Sequence, residues 1–222
     1  MKTKHIALIP ARKGSVGFKF KNRLFFDNTA NFLDNTLWFD DIIVSSDDND
    51  ILDKALMRNY AVHNRSIDLS MSDISIKDVM LNVIEEMKID SDSYIWLFYL
   101  PILYKNKSDF EELKSLISTT EHSSICSFIP AQVHPFNCWM FNKENLKLKK
   151  YISNDVYRRQ DLPEAWEHYH YLCAFKAGYI NKLNSELISE DTHPFFLSQE
   201  TTEKLIEIDT PKDYEKWKKL VL

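Results

Sequence analysis

Short apolar runs alternate with helix-like patterns along the first part of this 222-residue chain, and this alternation is its strongest structural constraint. His5–Ile9, Asp41–Ser45 and Tyr94–Leu100 are each predicted to be a buried strand. Between such runs, apolar residues recur at helical spacing, as in Ile76–Met87. Strands that alternate with helices favour a mostly parallel sheet with right-handed crossovers. The sequence therefore predicts a three-layer α/β fold.

The chain changes character after a further predicted strand at Ser124–Ile129. The stretch that follows is rich in aromatic residues and interrupted by prolines, which predicts an irregular excursion. A late strand is expected at Leu205–Ile208, and Pro211 suits the first turn of a closing helix. We therefore expect a core, an excursion and a return segment, at residues 1–133, 134–196 and 197–222.

Composition narrows the class of protein. Hydrophobic residues make up 44% of the chain and charged residues 27%, which suits a domain with a buried core. The formal net charge of −5 argues against a nucleic-acid binder, because such proteins are usually basic. No apolar run approaches the roughly 18 residues of a membrane helix. The three cysteines form no paired motif, and no signal peptide is recognised, so we expect a cytoplasmic protein.

The segment from Pro10 to Asn22 directly follows the first predicted strand, where ligands bind in open α/β sheets. It holds two of the three glycines in the chain. Glycines let backbone N–H groups approach phosphate oxygens, and cations neutralise their charge, so phosphate binding is favoured over a solvated basic loop. The spacing matches neither the P-loop nor the dinucleotide-binding motif. The cations are Arg12, Lys13, Lys19 and Lys21.

This first loop resembles the nucleotide-binding signature of the acylneuraminate cytidylyltransferase family, the CMP–sialic acid and CMP–KDO synthetases. The positions that match in register are Arg12, Gly14, Ser15, Gly17, Lys21 and Asn22. Later segments match in the order that the family shows: Ile43–Asp48, Arg65, Ser72–Ser75, Tyr157–Pro163 and Ile206–Tyr214. Several ordered matches are more specific than any single one, and together they span nearly the whole chain.

The resemblance implies a role for each matching position. The nucleotide would be bound by Arg12, Ser15, Lys21, Asn22, Arg65 and Ser75, and catalysis would depend on Arg12, Lys21 and Asp209. Asp209 would hold Mg²⁺ together with Glu207, and residues two apart on a strand do share a face. Arg159 and Gln160 would approach the acceptor, within an excursion that reaches the neighbouring subunit of a homodimer.

The resemblance also implies a fold and an activity. The fold is the mostly parallel, Rossmann-like nucleotide-diphospho-sugar transferase fold with a small dimerisation excursion. The activity is transfer of CMP from CTP to an acidic sugar, such as a nonulosonate, with release of pyrophosphate, in surface polysaccharide biosynthesis. Mg²⁺ prefers one or two carboxylates plus water, which agrees with Glu207 and Asp209.

Two segments depart from the family. Tyr99–Lys105 replaces a polar acceptor-side motif, so Tyr99 and Tyr169 are predicted to line a different acceptor pocket. KDO or a phosphonate as acceptor, or a degenerate nucleotide-binding homologue, stay open as alternatives. The first crossover, from Asn28 to Asp40, leaves little room for a full helix. His168 and His170 share one predicted strand face, which suits either structural histidines or a zinc site with further ligands.

Overall fold

The computed structural model describes residues 3–14 and 17–221, with Val221 described by its backbone alone. In chain order, the strands are β1 His5–Pro10, β2 Asp41–Ser46, β3 Ala61–Asn64, β4 Tyr94–Leu97, β5 Ser124–Pro130, β6 Trp139–Asn142, β7 Lys147–Lys150, β8 Trp166–Lys176 and β9 His193–Phe196. The α-helices are α1 Lys21–Asp34, α2 Asn49–Met57, α3 Ile76–Glu86, α4 Lys107–Thr119, α5 Gln199–Lys204 and α6 Pro211–Val221.

The described residues form one seven-stranded sheet, in the order β3-β2-β1-β4-β8-β5-β9. Neighbouring strands are parallel except at β8, which runs antiparallel to both β4 and β5. β1 lies between β2 and β4, both parallel to it, so the strand order reverses beside β1. A mostly parallel sheet was predicted from the alternation of elements, and the structure confirms it.

Alternation along β1 separates two apolar layers. Ala7 and Ile9 point to the side where α1, α2 and α4 pack, and this layer includes Phe25 and Phe110. Ile6 and Leu8 point to the opposite side and contact the layer that contains the buried residues of α3. Because both faces of the sheet are covered, the central strands are apolar throughout rather than alternating with polar residues.

Two sequence-based expectations about element boundaries are wrong. α1 begins at Lys21 and runs for 14 residues, so it starts inside the first loop and not after Asn28. Phe20 precedes it with a left-handed φ of 57°, which turns the chain directly from the loop into the helix. Residues 205–208 form no strand: a single antiparallel bridge joins Glu207 to Ile102, so the segment crosses the sheet end without pairing along it.

The structure also narrows the excursion. β8 and β9 lie within the predicted excursion of 134–196, yet both belong to the main sheet. Of the predicted excursion, the stretch between β5 and β8 lies outside the main sheet, and there β6 and β7 form a separate antiparallel hairpin. Aromatic residues of β8 are buried against the core, as at Tyr171, which explains the aromatic composition of this region. Among the described residues, none of the helices combines the length and apolar character needed to cross a bilayer.

A buried ion pair joins α1 to the end of β2. Both carboxylate oxygens of Asp48 accept hydrogen bonds from Arg23, with Nε at 2.6 Å and Nη2 at 2.8 Å. The Asp48 side chain is 1% exposed, and it also caps α2 by accepting from the Asp50 backbone N–H. Arg23 also pairs with Asp50, whose side chain is 60% exposed.

We expect Asp48→Ala to lower the free energy of unfolding by about 1–2 kcal/mol, because it removes the N-cap of α2 and the buried one of the two carboxylates that pair with Arg23. Asp50→Ala is the matched control, since an exposed pair contributes at most about 1 kcal/mol. Urea unfolding of both variants measures the difference. Equal losses would show that burial of Asp48 adds nothing.

Candidate active site

A cavity of about 520 Å³ opens at the carboxyl ends of β1 and β4. This is the position where open α/β sheets bind ligands, outside the strand ends and beside a reversal of strand order. Its wall combines the first loop, the segment before α3 and the segment before α6. The lining residues are Pro10, Arg12, Gly17, Lys21, Asn22, Arg65, Leu69, Met71, Ser72, Ile74, Ile76, Val79, Tyr99, Pro101, Glu207, Asp209 and Thr210.

Hydrogen bonds to the end of β2 hold the first loop in place. The Lys13 backbone N–H donates to Asp47 Oδ1 at 2.7 Å. The Ser46 hydroxyl donates to the Ala11 carbonyl at 2.5 Å, and the Asn22 side-chain amide donates to the Arg12 carbonyl at 2.8 Å. The Asn22 side chain is buried, and its hydrogen bond to the Arg12 carbonyl connects the start of α1 to the loop backbone. The residues at the end of β2 therefore serve as a scaffold for the loop.

Two arginines carry positive charge to one side of the cavity. Arg65 is buried, and its guanidinium donates to the hydroxyl and carbonyl oxygens of Ser45. Burial lowers the pKa of Arg65 to about 10; the negative charge of Asp47 counteracts this shift, and the positive charge of Arg12 adds to it. Among the described residues, no carboxylate forms a salt bridge with Arg65. A buried cation without a paired carboxylate suits an anionic ligand.

Two carboxylates and a lysine also line the cavity. Lys21 Nζ lies 2.6 Å from Asp209 Oδ1, which links the first turn of α1 to the segment before α6. The pKa of Glu207 is raised, first by desolvation and then by the negative charge of Asp209, while Lys21 counteracts the shift. Two carboxylates that repel each other and face a cavity can share a divalent cation, because the cation relieves that repulsion.

Gly17 lies where the first loop passes closest to this carboxylate segment. A Cβ built on Gly17 would lie 2.7 Å from the backbone carbonyl oxygen of Asp209. A contact that short cannot be relieved by rotating a side chain, because the opposing atom belongs to the backbone. Glycine at position 17 therefore lets the loop and the Asp209 segment approach each other.

The structure brings together most of the predicted nucleotide and metal residues. Arg12, Lys21, Asn22, Arg65, Glu207 and Asp209 all line the cavity, as does the predicted acceptor residue Tyr99. Ser15 lies outside the described residues. Ser75 is the N-cap of α3, where its hydroxyl oxygen accepts from the Asp78 N–H, and it lies beside cavity-lining residues without lining the cavity itself.

The predicted acceptor residues divide into two groups. Arg159 and Gln160 form an exposed 3₁₀ turn in the excursion and do not line the cavity. Tyr169 is partly buried behind the cavity, and burial raises its pKa. Lys105 also lies outside the cavity lining: it donates to the Ile102 carbonyl, and burial lowers its pKa to about 7.

The segment before α3 forms part of the cavity wall, and the sequence did not predict its apolar lining residues. Leu69, Met71 and Ile74 line the cavity there, and the Met71 carbonyl accepts a 3.3 Å hydrogen bond from Arg12 Nη1. The recognised Ser72–Ser75 segment marked this region, but its apolar neighbours carry no chemical motif that a sequence could reveal.

Comparison with known proteins shows which proteins share this fold. No protein-family model matches the chain. The solved structure of a CMP:2-keto-3-deoxy-manno-octonic acid synthetase complexed with CTP has a TM-score of 0.68 at 14% identity, covering 99% of this chain and 98% of that one. A 2-C-methyl-D-erythritol 4-phosphate cytidylyltransferase from Francisella tularensis has a TM-score of 0.60 at 16% identity, covering 99% of this chain and 100% of that one. The fold is therefore the nucleotidyltransferase fold that these cytidylyltransferases share, as predicted.

The sequence is similar to one particular member of that class. An N-acylneuraminate cytidylyltransferase from Streptococcus agalactiae serotype V is 24% identical over 220 residues, which is 95% of this chain. The match covers 52% of that protein, so the chain spans about half the length of the curated relative. The resemblance to acylneuraminate cytidylyltransferases that the motifs indicated is thereby confirmed.

We expect Gly17→Ala to lower the free energy of unfolding by about 1–3 kcal/mol, the usual cost of overpacking a close contact. Gly14→Ala is the matched control in the same loop, because a Cβ at Gly14 would meet nothing within 4 Å. Denaturant unfolding of both variants provides the measurement. If Gly17→Ala were as stable as Gly14→Ala, the close approach to Asp209 would not exist in solution.

Proposed function

We propose that this protein is a cytidylyltransferase that transfers CMP from CTP to an acidic sugar, with release of pyrophosphate. The observation that carries the proposal is the meeting of Arg12, Lys21 and Arg65 with Glu207 and Asp209 around one cavity. Cations suited to phosphate oxygens face carboxylates suited to a divalent cation. The relative named for this activity on N-acylneuraminate supports the same conclusion.

In the proposed reaction, an acceptor oxygen attacks the α-phosphate of CTP and pyrophosphate leaves. Arg12 and Arg65 would neutralise the charge that builds up on the phosphates, because both line the cavity and lie close enough for the charge of Arg12 to lower the pKa of Arg65. Lys21 would add a third positive charge and keep Asp209 in position through their 2.6 Å ion pair. Catalysis would depend mainly on positioning and on electrostatic stabilisation.

Mg²⁺ fits the donor set of Glu207 and Asp209. Hard divalent cations prefer carboxylate oxygens, and both carboxylates line the cavity. Desolvation raises the pKa of Glu207, and the negative charge of Asp209 adds to this shift. When bound, Mg²⁺ would polarise the α-phosphate and balance charge on the leaving pyrophosphate. Lys21 would then share Asp209 with the metal ion.

We propose a nonulosonate such as sialic acid as the acceptor, and a role in surface polysaccharide synthesis. Tyr99 lines the cavity beside Pro101, where the motif differs from that of the synthetase family. Burial raises the pKa of Tyr99, so its phenol remains protonated and can donate a hydrogen bond. KDO is the second candidate acceptor, favoured by the fold similarity to a synthetase named for that sugar.

The test is pyrophosphate release from CTP and Mg²⁺ with N-acetylneuraminate, KDO and a phosphonate offered separately. We expect turnover with N-acetylneuraminate, and a loss of roughly 100-fold or more in Asp209→Asn because a metal ligand and charge partner is weakened. Glu215→Gln on the exposed face of α6 is the control and retains full activity. Tight CTP binding without release for any acceptor would reject the transferase and favour a degenerate nucleotide-binding homologue.

We also propose that the protein forms a homodimer through the β6–β7 hairpin. Trp139 and Phe141 share one face of this hairpin, and both side chains are more than half exposed, as is Leu148 opposite Phe141. Exposed apolar side chains that are clustered in this way mark interaction sites more often than isolated ones do.

Light scattering tests the dimer. We expect a dimer for the wild-type protein and a monomer for Phe141→Glu combined with Leu148→Glu, because two charges would be buried at the interface. Leu37→Glu is the control, because Leu37 is an exposed leucine that follows α1 and does not belong to the hairpin. A monomeric wild-type protein would contradict the proposal.

A further inference from the structure

A cluster of cysteine and histidine side chains lies behind the acceptor side of the cavity, outside the proposed nucleotide site. Cys126 of β5 and Cys173 of β8 are both buried, and they are direct partners in the antiparallel pairing. His168 joins them, with its Nε2 3.8 Å from Cys173 Sγ. One donor atom from each of the three residues lies within 4.8 Å of the other two.

A wide bulge in β8 creates this cluster. Cys126 pairs with Cys173 and Phe128 pairs with His168, so residues 169–172 of β8 all lie opposite Ser127 of β5. The Ser127 hydroxyl donates to the Tyr169 carbonyl and accepts the Leu172 N–H at 3.0 Å, which fixes the bulge. In a regular strand, residues five apart point to opposite faces. The bulge instead turns His168 and Cys173 toward each other.

We propose that Cys126, His168 and Cys173 bind a zinc ion, with the fourth coordination position facing His170 and Glu186. Zinc takes cysteine sulfur at about 2.3 Å and histidine nitrogen at about 2.0–2.1 Å in tetrahedral sites, which separates a sulfur from a nitrogen by about 3.6 Å. The 3.8 Å between His168 Nε2 and Cys173 Sγ is close to that value. The ligand class is therefore a borderline-soft divalent cation.

Charge balance in the buried cluster favours the same ion. Each thiol loses its proton on binding, and two thiolates with one Zn²⁺ have no net charge, so the cost of burying each charge is offset. Both sulfur atoms are buried, and the Cys173 Sγ already lies 3.8 Å from the His168 Nε2, so the donor atoms are close together before a metal binds.

A second group of potential ligands shares His168 with the first and offers candidates for the fourth position. Donor atoms of His168, His170 and Glu186 also lie within 4.8 Å of one another, and the two imidazole centroids are 4.4 Å apart. The His170 ring packs edge-on against Tyr99 with centroids 4.9 Å apart. A metal ion here would join β5 to β8 and brace Tyr99, which lines the candidate active site.

The first experiment measures the metal directly on the full chain, purified under reducing conditions without chelator. We expect about one zinc ion per chain by elemental analysis. After removal of the zinc, titration with Co²⁺ is expected to give the visible and thiolate charge-transfer bands of a tetrahedral site. Cys173→Ser and His168→Gln are each expected to weaken Co²⁺ binding roughly tenfold or more. Cys138→Ser, which changes a cysteine in the excursion, is the matched control and leaves binding unchanged.

A second measurement needs no variant and so does not depend on variant folding. Zn²⁺ is expected to slow alkylation of Cys126 and Cys173 in the wild-type protein while Cys138 reacts at an unchanged rate, as an internal reference. Absence of metal with unprotected thiols, a Cys126–Cys173 disulfide in place of the metal, or undiminished binding by Cys173→Ser would each overturn the proposal. None of these readouts requires transferase activity, so this inference and the proposed function can fail separately.

Discussion

The contact between the first loop and the end of β2 is the constraint on which the candidate site depends. The loop carries several cations, and its first residues are held by hydrogen bonds from the Lys13 N–H to Asp47 and from the Ser46 hydroxyl to the Ala11 carbonyl. The ion pair of Arg23 with Asp48 connects the start of α1 to the same region. These contacts fix the backbone at residues 11–13 before any ligand arrives. Because the ordering is made within the fold, less of the binding energy would be spent on arranging the loop.

The arrangement of charge follows from that scaffold. α1 starts inside the loop, which places Lys21 in its first turn and next to Asp209, 188 positions along the chain. Arg65, buried at the end of β3, faces the same cavity without a carboxylate partner among the described residues. The chain therefore brings three cationic side chains and two carboxylates to one cavity, although these residues are far apart in the sequence.

The bulge in β8 shows how one backbone irregularity can serve two sites. Ser127 of β5 holds the bulge, and the bulge brings His168 to Cys173 while placing His170 against Tyr99. A regular strand would have pointed His168 and Cys173 to opposite faces. β8 thus links the cysteine–histidine cluster to Tyr99 in the cavity wall, and both lie against a segment that the sequence suggested was irregular.

The sequence by itself determined the α/β class, because apolar periodicity reports which faces are buried. It also identified the charged residues that line the cavity, because the chemistry of a cation or a carboxylate is evident from the residue type alone. Only the tertiary structure decided that Arg159 and Gln160 lie away from the cavity, that residues 205–208 make one bridge, and that Cys126 meets His168. Those outcomes depend on contacts between distant segments and on a bulge, and neither feature produces a periodic pattern of apolar residues in the sequence.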